Sequence, residues 1–171
     1  SFSLHAMYRQ RLIRAYLGAS NEVRHPHPFT GFDERDNMPM CALTHHRPLH
    51  VVNITLNLVG GAKLAWQQRK AESFTSTRLH TGSCRVGYRT SDLYGGRYRT
   101  SARQTAISLG TAMTISGAAA SPSMGYNSSA LLTIVMALFN ARLGWWLGNP
   151  GHEGTAWRLP GPRFGIRTFV D

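Results

Sequence analysis

Residues 109–150, LGTAMTISGAAASPSMGYNSSALLTIVMALFNARLGWWLGNP, constrain the fold more than any other stretch. The segment joins a run of small residues, the Ser121-Pro122 break, the most apolar stretch of the chain and the adjacent Trp145 and Trp146. Small residues let a helix approach a sheet closely, and proline pushes its predecessor out of helical geometry. The pattern predicts one helix over 104–120 and a second, capped by Asn127 or Ser128, that runs to Ala141. The second helix would show Leu131, Ile134, Val135 and Leu138 on its apolar face and stop at the 144–150 segment. What precedes these helices reads as strands and connectors that need such a layer to pack on.

The preceding chain begins with a helical pattern over 2–17, with apolar residues at Leu4, Met7, Tyr8, Leu12, Ala15 and Tyr16. Ser1 or Ser3 would cap this helix and Gly18 would stop it. Arg9, Arg11 and Arg14 fall mainly on the other sides and form a solvated face, with contact to anionic headgroups as the sharper alternative. A connector follows over 21–49, broken by His25-Pro26-His27-Pro28 and carrying the most acidic patch, Asp33, Glu34 and Asp36. From His50 the period changes to two. Val52, Ile54, Leu56 and Leu58 alternate with Asn53, Thr55 and Asn57 until Gly60-Gly61, which predicts a strand over 51–59 with one buried face. Residues 63–71 read as a short helix or wide turn carrying Trp66, and 72–77 as a second strand. The span 82–99 sets Tyr88, Tyr94 and Tyr98 among arginines. It reads as a surface loop whose tyrosines cover the sheet edge, and alternatively as a stacking platform for single-stranded nucleic acid.

A chain of 171 residues can bury one core, and 42% hydrophobic with 16% charged residues is a globular composition. Neither low-complexity tracts nor internal repeats are visible. The net charge is +11, nearly all from arginine, since Lys63 and Lys70 are the only lysines. Such an excess points to nucleic acid, an anionic membrane or an acidic partner. The arginines are scattered without a dense run, so nucleic acid is not the expected partner. Cys41 and Cys84 make no disulfide framework, and a reducing compartment is the default. The longest apolar run, 130–139, falls short of the about 20 residues that a membrane span needs. Cytoplasmic or membrane-associated placement is therefore expected, with any spanning segment elsewhere in a parent protein. The first residue is Ser and the last five, RTFVD, read as the start of an element, so a fragment is expected.

Chemistry is sparse. A nucleophile-elbow hydrolase needs G-x-S-x-G at a strand-to-helix turn, and this motif is absent. Ser116 lacks the preceding glycine, and Ser121 and Ser123 follow a helix. Phosphate-binding glycine loops and zinc-protease helices are also absent from the sequence. Cys41, His45, His46 and His50 are spaced loosely enough to suit zinc but lack paired geometry, and incidental loop histidines are the better reading. Residues alone thus give an α/β domain without a complete active site: no catalytic, cofactor-binding or metal-binding residue is expected in this chain, and no cofactor.

Four runs resemble one family. They are YRQRLIRAYLGAS (8–20), NITLNLVGGAKLAWQQRKAESF (53–74), SLGTAMTISGAAASPSMGY (108–126) and LFNARLGWWLGNP (138–150). Together they are similar to large bacterial patatin-like phospholipases, related at fold level to plant patatins and cytosolic phospholipases. The resemblance implies a three-layer α/β fold, a central sheet flanked by helices, of which 1–171 would be a single partial domain from the middle. It implies a Ser-Asp dyad that hydrolyses lipid acyl esters, with aspartate as general base. The G-x-S-x-G serine and the oxyanion glycine loop would lie before Ser1, and the D-G-G aspartate after Asp171, itself read as a surface residue. SGAAASP (116–122) is similar to the small-residue segment that shapes the acyl-pocket wall, so no proton-transfer role passes to Ser116 or Ser121. The implied partner is a lipid or acyl ester substrate through the parent protein; peripheral contact with an anionic membrane is expected from the +11 charge instead. A non-enzymatic basic module is the competing expectation, and failure to fold alone, with an unpaired edge at the 51–59 strand, a third.

Overall fold

A computed structural model describes residues 4–44, 47–57, 71–94, 107–118, 131, 144–151 and 157. They combine helices with a four-stranded antiparallel sheet, an architecture of the general α/β class. The strands are β1 (Val51–Asn57), β2 (Ala71–Thr77), β3 (His80–Ser83) and β4 (Gly87–Thr90), paired in chain order. The helices are α1 (Leu4–Leu12) and α2 (Leu109–Ser116).

The alternating run forms β1 as its period predicts. Ile54 is buried and lies directly opposite Phe74 of β2, also buried, so the register places one apolar pair on the inner face. The predicted second strand is β2. The predicted wide turn, apart from its last residue, lies outside the described residues. The span 82–99 departs from expectation. Most of its first half is the hairpin of β3 and β4, and Tyr94 is 2% exposed rather than spread over a sheet edge. Short strands rich in glycine, serine and arginine carry no hydrophobic alternation, so period gave no signal. Their inner face is polar instead: Ser76, Thr81 and Ser91 are buried and linked hydroxyl to hydroxyl at 3.1 and 2.9 Å, ending on the Thr77 carbonyl at 2.7 Å. Each buried hydroxyl has a partner, which removes the cost of burying it.

Helix α1 also departs from the simple pattern. Its last turn widens into a π turn (Ile13–Leu17) and then a 3-10 turn (Gly18–Ser20), so the helical path ends at Asn21, not at Gly18. Wider turns rotate the following residues around the axis. The buried positions become His5, Ile13 and Gly18, while Met7 and Tyr16 of the predicted apolar face are exposed. Gly18 has helical φ −65° and sits under the Arg24–Asp36 pair. A Cβ there would lie 2.8 Å from an Asp36 oxygen, so the glycine serves a close approach rather than a stop.

Helix α2 is shorter than the expected 104–120: it starts after Ser108, whose hydroxyl accepts from the Thr111 amide at 3.2 Å, and ends at Ser116 with Gly117 as its C-cap. Its small residues do what the sequence suggested. Gly110 faces Ile13 of the π turn, and Ala112 and Ile115 are buried in the core with Met40, Leu43, Ile54, Phe74, Tyr94 and Ile107. Backbone bonds from Met40 to Ile107 and from Leu109 to Met38, both 2.9 Å, tie the connector to the start of α2. Of the predicted 127–141 helix only Leu131 is described; it is helical and 74% exposed. No helix among the described residues is long and apolar enough to cross a membrane.

Candidate functional site

The inner faces of β1 and β2 end at an apolar cleft of 240 Å³. Ile54 and Leu56 of β1, Phe74 of β2, Val86 of the β3–β4 turn and Ile115 of α2 form one side. The 145–150 segment, Trp145 to Pro150, forms the other. Thr55, Asn57 and Asn149 supply the polar lining side chains, and among the described residues the lining has no titratable group. A 150 Å³ apolar cavity accepts benzene, whereas pockets for drug-sized ligands start near 300 Å³. The cleft therefore suits a short apolar segment of a larger molecule.

The tryptophan wall is held by side chains of β4 and of the loop that follows it. The Tyr94 hydroxyl donates to the Gly148 carbonyl. Burial pushes the Tyr94 hydroxyl well above its ordinary pKa, so it remains a donor at every working pH. Arg89 of β4 donates from Nε to the Pro150 carbonyl and from Nη2 to the Gly151 carbonyl, both at 3.0 Å. Its guanidinium also lies 4.1 Å from the Trp157 ring centroid, within cation–π reach. On the far side, Trp145 stacks against the buried His5 ring of α1, centroids 4.5 Å apart. A Cβ on Gly151 would come within 2.8 Å of the Val86 carbonyl, so the wall runs hard against the β3–β4 turn.

Of the serines and cysteines singled out by sequence, the described ones, Ser116, Cys41 and Cys84, do not line this cleft. Ser116 is exposed and donates to the Asn53 carbonyl at 2.7 Å. Ser121, Ser123 and Asp171 lie outside the described residues. Cys41 is half-buried, with its thiol pKa raised by burial. His45 and His46 lie outside the described residues, and His50 is exposed. Among the described residues, no group of three histidine, cysteine, aspartate or glutamate side chains is placed to hold a metal ion.

Two aspartates of the acidic patch turn inward. Asp36 accepts from Arg24 at 2.7 and 3.0 Å on one oxygen and at 3.3 Å on the other, and from Asn21 at 2.9 Å. The Arg24 hydrogen bond, more than its charge, holds the Asp36 carboxyl below the usual range. Asp33 is lowered chiefly by the His25 amide at 2.6 Å and then by the Arg35 amide at 2.9 Å. Arg24 is raised in turn by Asp36.

Trp145, Trp146 and Leu147 were legible as a distinctive run. Arg89 and Tyr94, which hold them, were not; GYRT (87–90) between turn residues could have placed Arg89 on a short strand, but nothing local marks the partner of either residue. Comparison of the chain with family models, curated proteins and solved structures found no match.

Proposed function

We propose that this chain is the middle segment of a patatin-like serine acyl hydrolase, part of a three-layer fold whose Ser-Asp dyad lies outside residues 1–171. In this reading the chain supplies scaffold and one wall of the pocket for the acyl group of a lipid ester. The observation that carries it is the apolar cleft, free of titratable lining among the described residues, walled by the run that resembles the family. A pocket of that chemistry binds hydrocarbon and leaves proton transfer to groups elsewhere.

Titration of the folded chain with brominated fatty acids, followed by tryptophan emission, tests it. Quenching that falls in Trp146→Phe is expected, because bromine in the cleft sits against that ring. A folded chain that shows no quenching overturns the reading. So does a parent reading frame with neither G-x-S-x-G upstream nor D-G-G downstream.

The competing reading is a basic module without catalysis, motivated by the +11 charge. Its nucleic-acid form loses support because Tyr94 is buried and bonded, which removes one of the three tyrosines from any stacking platform. Salt-sensitive binding of oligonucleotides would restore it.

A further inference from the structure

We infer that Glu72 is the polar anchor of the apolar cleft, and that the cleft takes a ligand whose apolar body ends in a hydrogen-bond donor, a hydroxyl or an N–H. Glu72 is the second residue of β2 and lies directly opposite Leu56 of β1. Residues opposite one another in a sheet project from the same face, with Cβ atoms about 5 Å apart. Phe74 follows two positions on and shares that face, while Ser73 between them is exposed. Leu56 and Phe74 both line the cleft. Glu72 therefore stands at its rim, on the face that carries the lining side chains.

What sets Glu72 apart is an unmet need for a donor. The residue is half-buried and its Oε2 is buried, and among the described residues that oxygen has no hydrogen-bond partner. Asp33 and Asp36 show the contrast, since both are buried and both accept from backbone amides or side chains. Arg24 and Arg35 form ion pairs with those aspartates and not with Glu72, and Arg89 is committed to the Pro150 and Gly151 carbonyls. A dry carboxylate oxygen without a donor costs free energy, and a ligand that brings one removes that cost as it binds. Thr55, Asn57 and Asn149, the polar lining side chains, each donate as well as accept. An ionised carboxylate only accepts, so Glu72 is the group that can reject a ligand of equal size without a donor.

Titration of the 171-residue chain with octanol and with its isomer heptyl methyl ether, followed by tryptophan emission, tests the anchor. The two ligands match in size, and only the alcohol donates. Octanol is expected to bind tighter by about tenfold or more. Glu72→Met keeps a side chain of similar length, removes the acceptor and should bring the two affinities together. It should also leave the urea midpoint unchanged or raised, because the folded chain loses no bond to Oε2. Equal affinities in the wild type overturn the inference, as does a preference for octanol that survives Glu72→Met. A lowered midpoint for Glu72→Met overturns it too, since the carboxylate would then serve the folded chain itself. So does a chain that binds neither ligand. The inference rests on the cleft of the hydrolase reading but is tested apart from it. A fatty-acid carboxylate carries no donor at neutral pH, so brominated fatty acids report the cleft without reporting Glu72. Fatty-acid quenching with equal affinities for octanol and the ether keeps the cleft and removes the anchor.

Discussion

The Tyr94 hydroxyl, 54 positions before its partner, donates its hydrogen bond to the carbonyl oxygen of Gly148. That bond joins the loop after β4 to the wall of the apolar cleft. Tyr94→Phe keeps the ring in the core beside Phe74 and removes only the donor. The Gly148 carbonyl then loses a buried partner, at a cost of about 1–3 kcal/mol. Urea unfolding should show a lower midpoint with an unchanged slope, and fatty-acid quenching should weaken.

Arg89 makes a different demand, because its two bonds to Pro150 and Gly151 require a planar fork. Lysine offers a point charge and cannot reproduce them. Arg89→Lys should weaken fatty-acid quenching about tenfold or less, by loosening the wall, roughly the effect of one lost charged hydrogen bond. Equal affinities for Arg89→Lys and wild type would show that the wall stands without the fork.

Gly110 tests the packing of α2 on the π turn. A Cβ at this position would lie 2.5 Å from Ile13 Cγ1 and 2.7 Å from Asn37 Oδ1. Gly110→Ala therefore overpacks the contact and disturbs the Asn37 bond to the Gly110 amide at 3.1 Å. Despite alanine's better helix propensity, a net loss of about 1–3 kcal/mol is expected in urea unfolding.

Acid should unfold the 21–36 region early. Asp36 and Asp33 both have folded-state pKa values below their unfolded ones, through Arg24 and through backbone amides respectively. Their contribution is complete above the ordinary carboxylate pKa of about 4 and is lost as pH falls through the lower folded values. Asp36→Asn should flatten the acid limb of a stability-against-pH curve and lower stability at neutrality. An unchanged acid limb would contradict the assignment.

The outline of the fold was legible where one physical signal dominated. Alternation gave β1, and the small residues within the expected 104–120 span gave a helix, Leu109–Ser116, packed closely on its neighbour. The β3–β4 hairpin was not legible, because serine, threonine and glycine strands bury hydroxyl chains instead of apolar faces. The exposure of Tyr16 was missed because the π turn over 13–17 shifts the helical phase beyond α1, which no constant period describes. For the candidate site, the tryptophan wall was visible as a motif. Its supports were not, since Arg89 and Tyr94 act over more than fifty positions and long-range bonds leave no local pattern.

Strands paired in chain order have a kinetic meaning. Two residues, 78 and 79, separate β2 from β3, and three, 84 to 86, separate β3 from β4. Closing such short loops costs little entropy, so these pairings can form from neighbouring chain. The cleft is assembled differently, with Arg89 bonded to Gly151 across 62 positions. Contacts of that span form late and open without melting the strands beneath them. Amide hydrogens of 145–151 should therefore exchange before those of β2 and β3, and an apolar ligand would enter by local opening of the wall while the sheet stays intact.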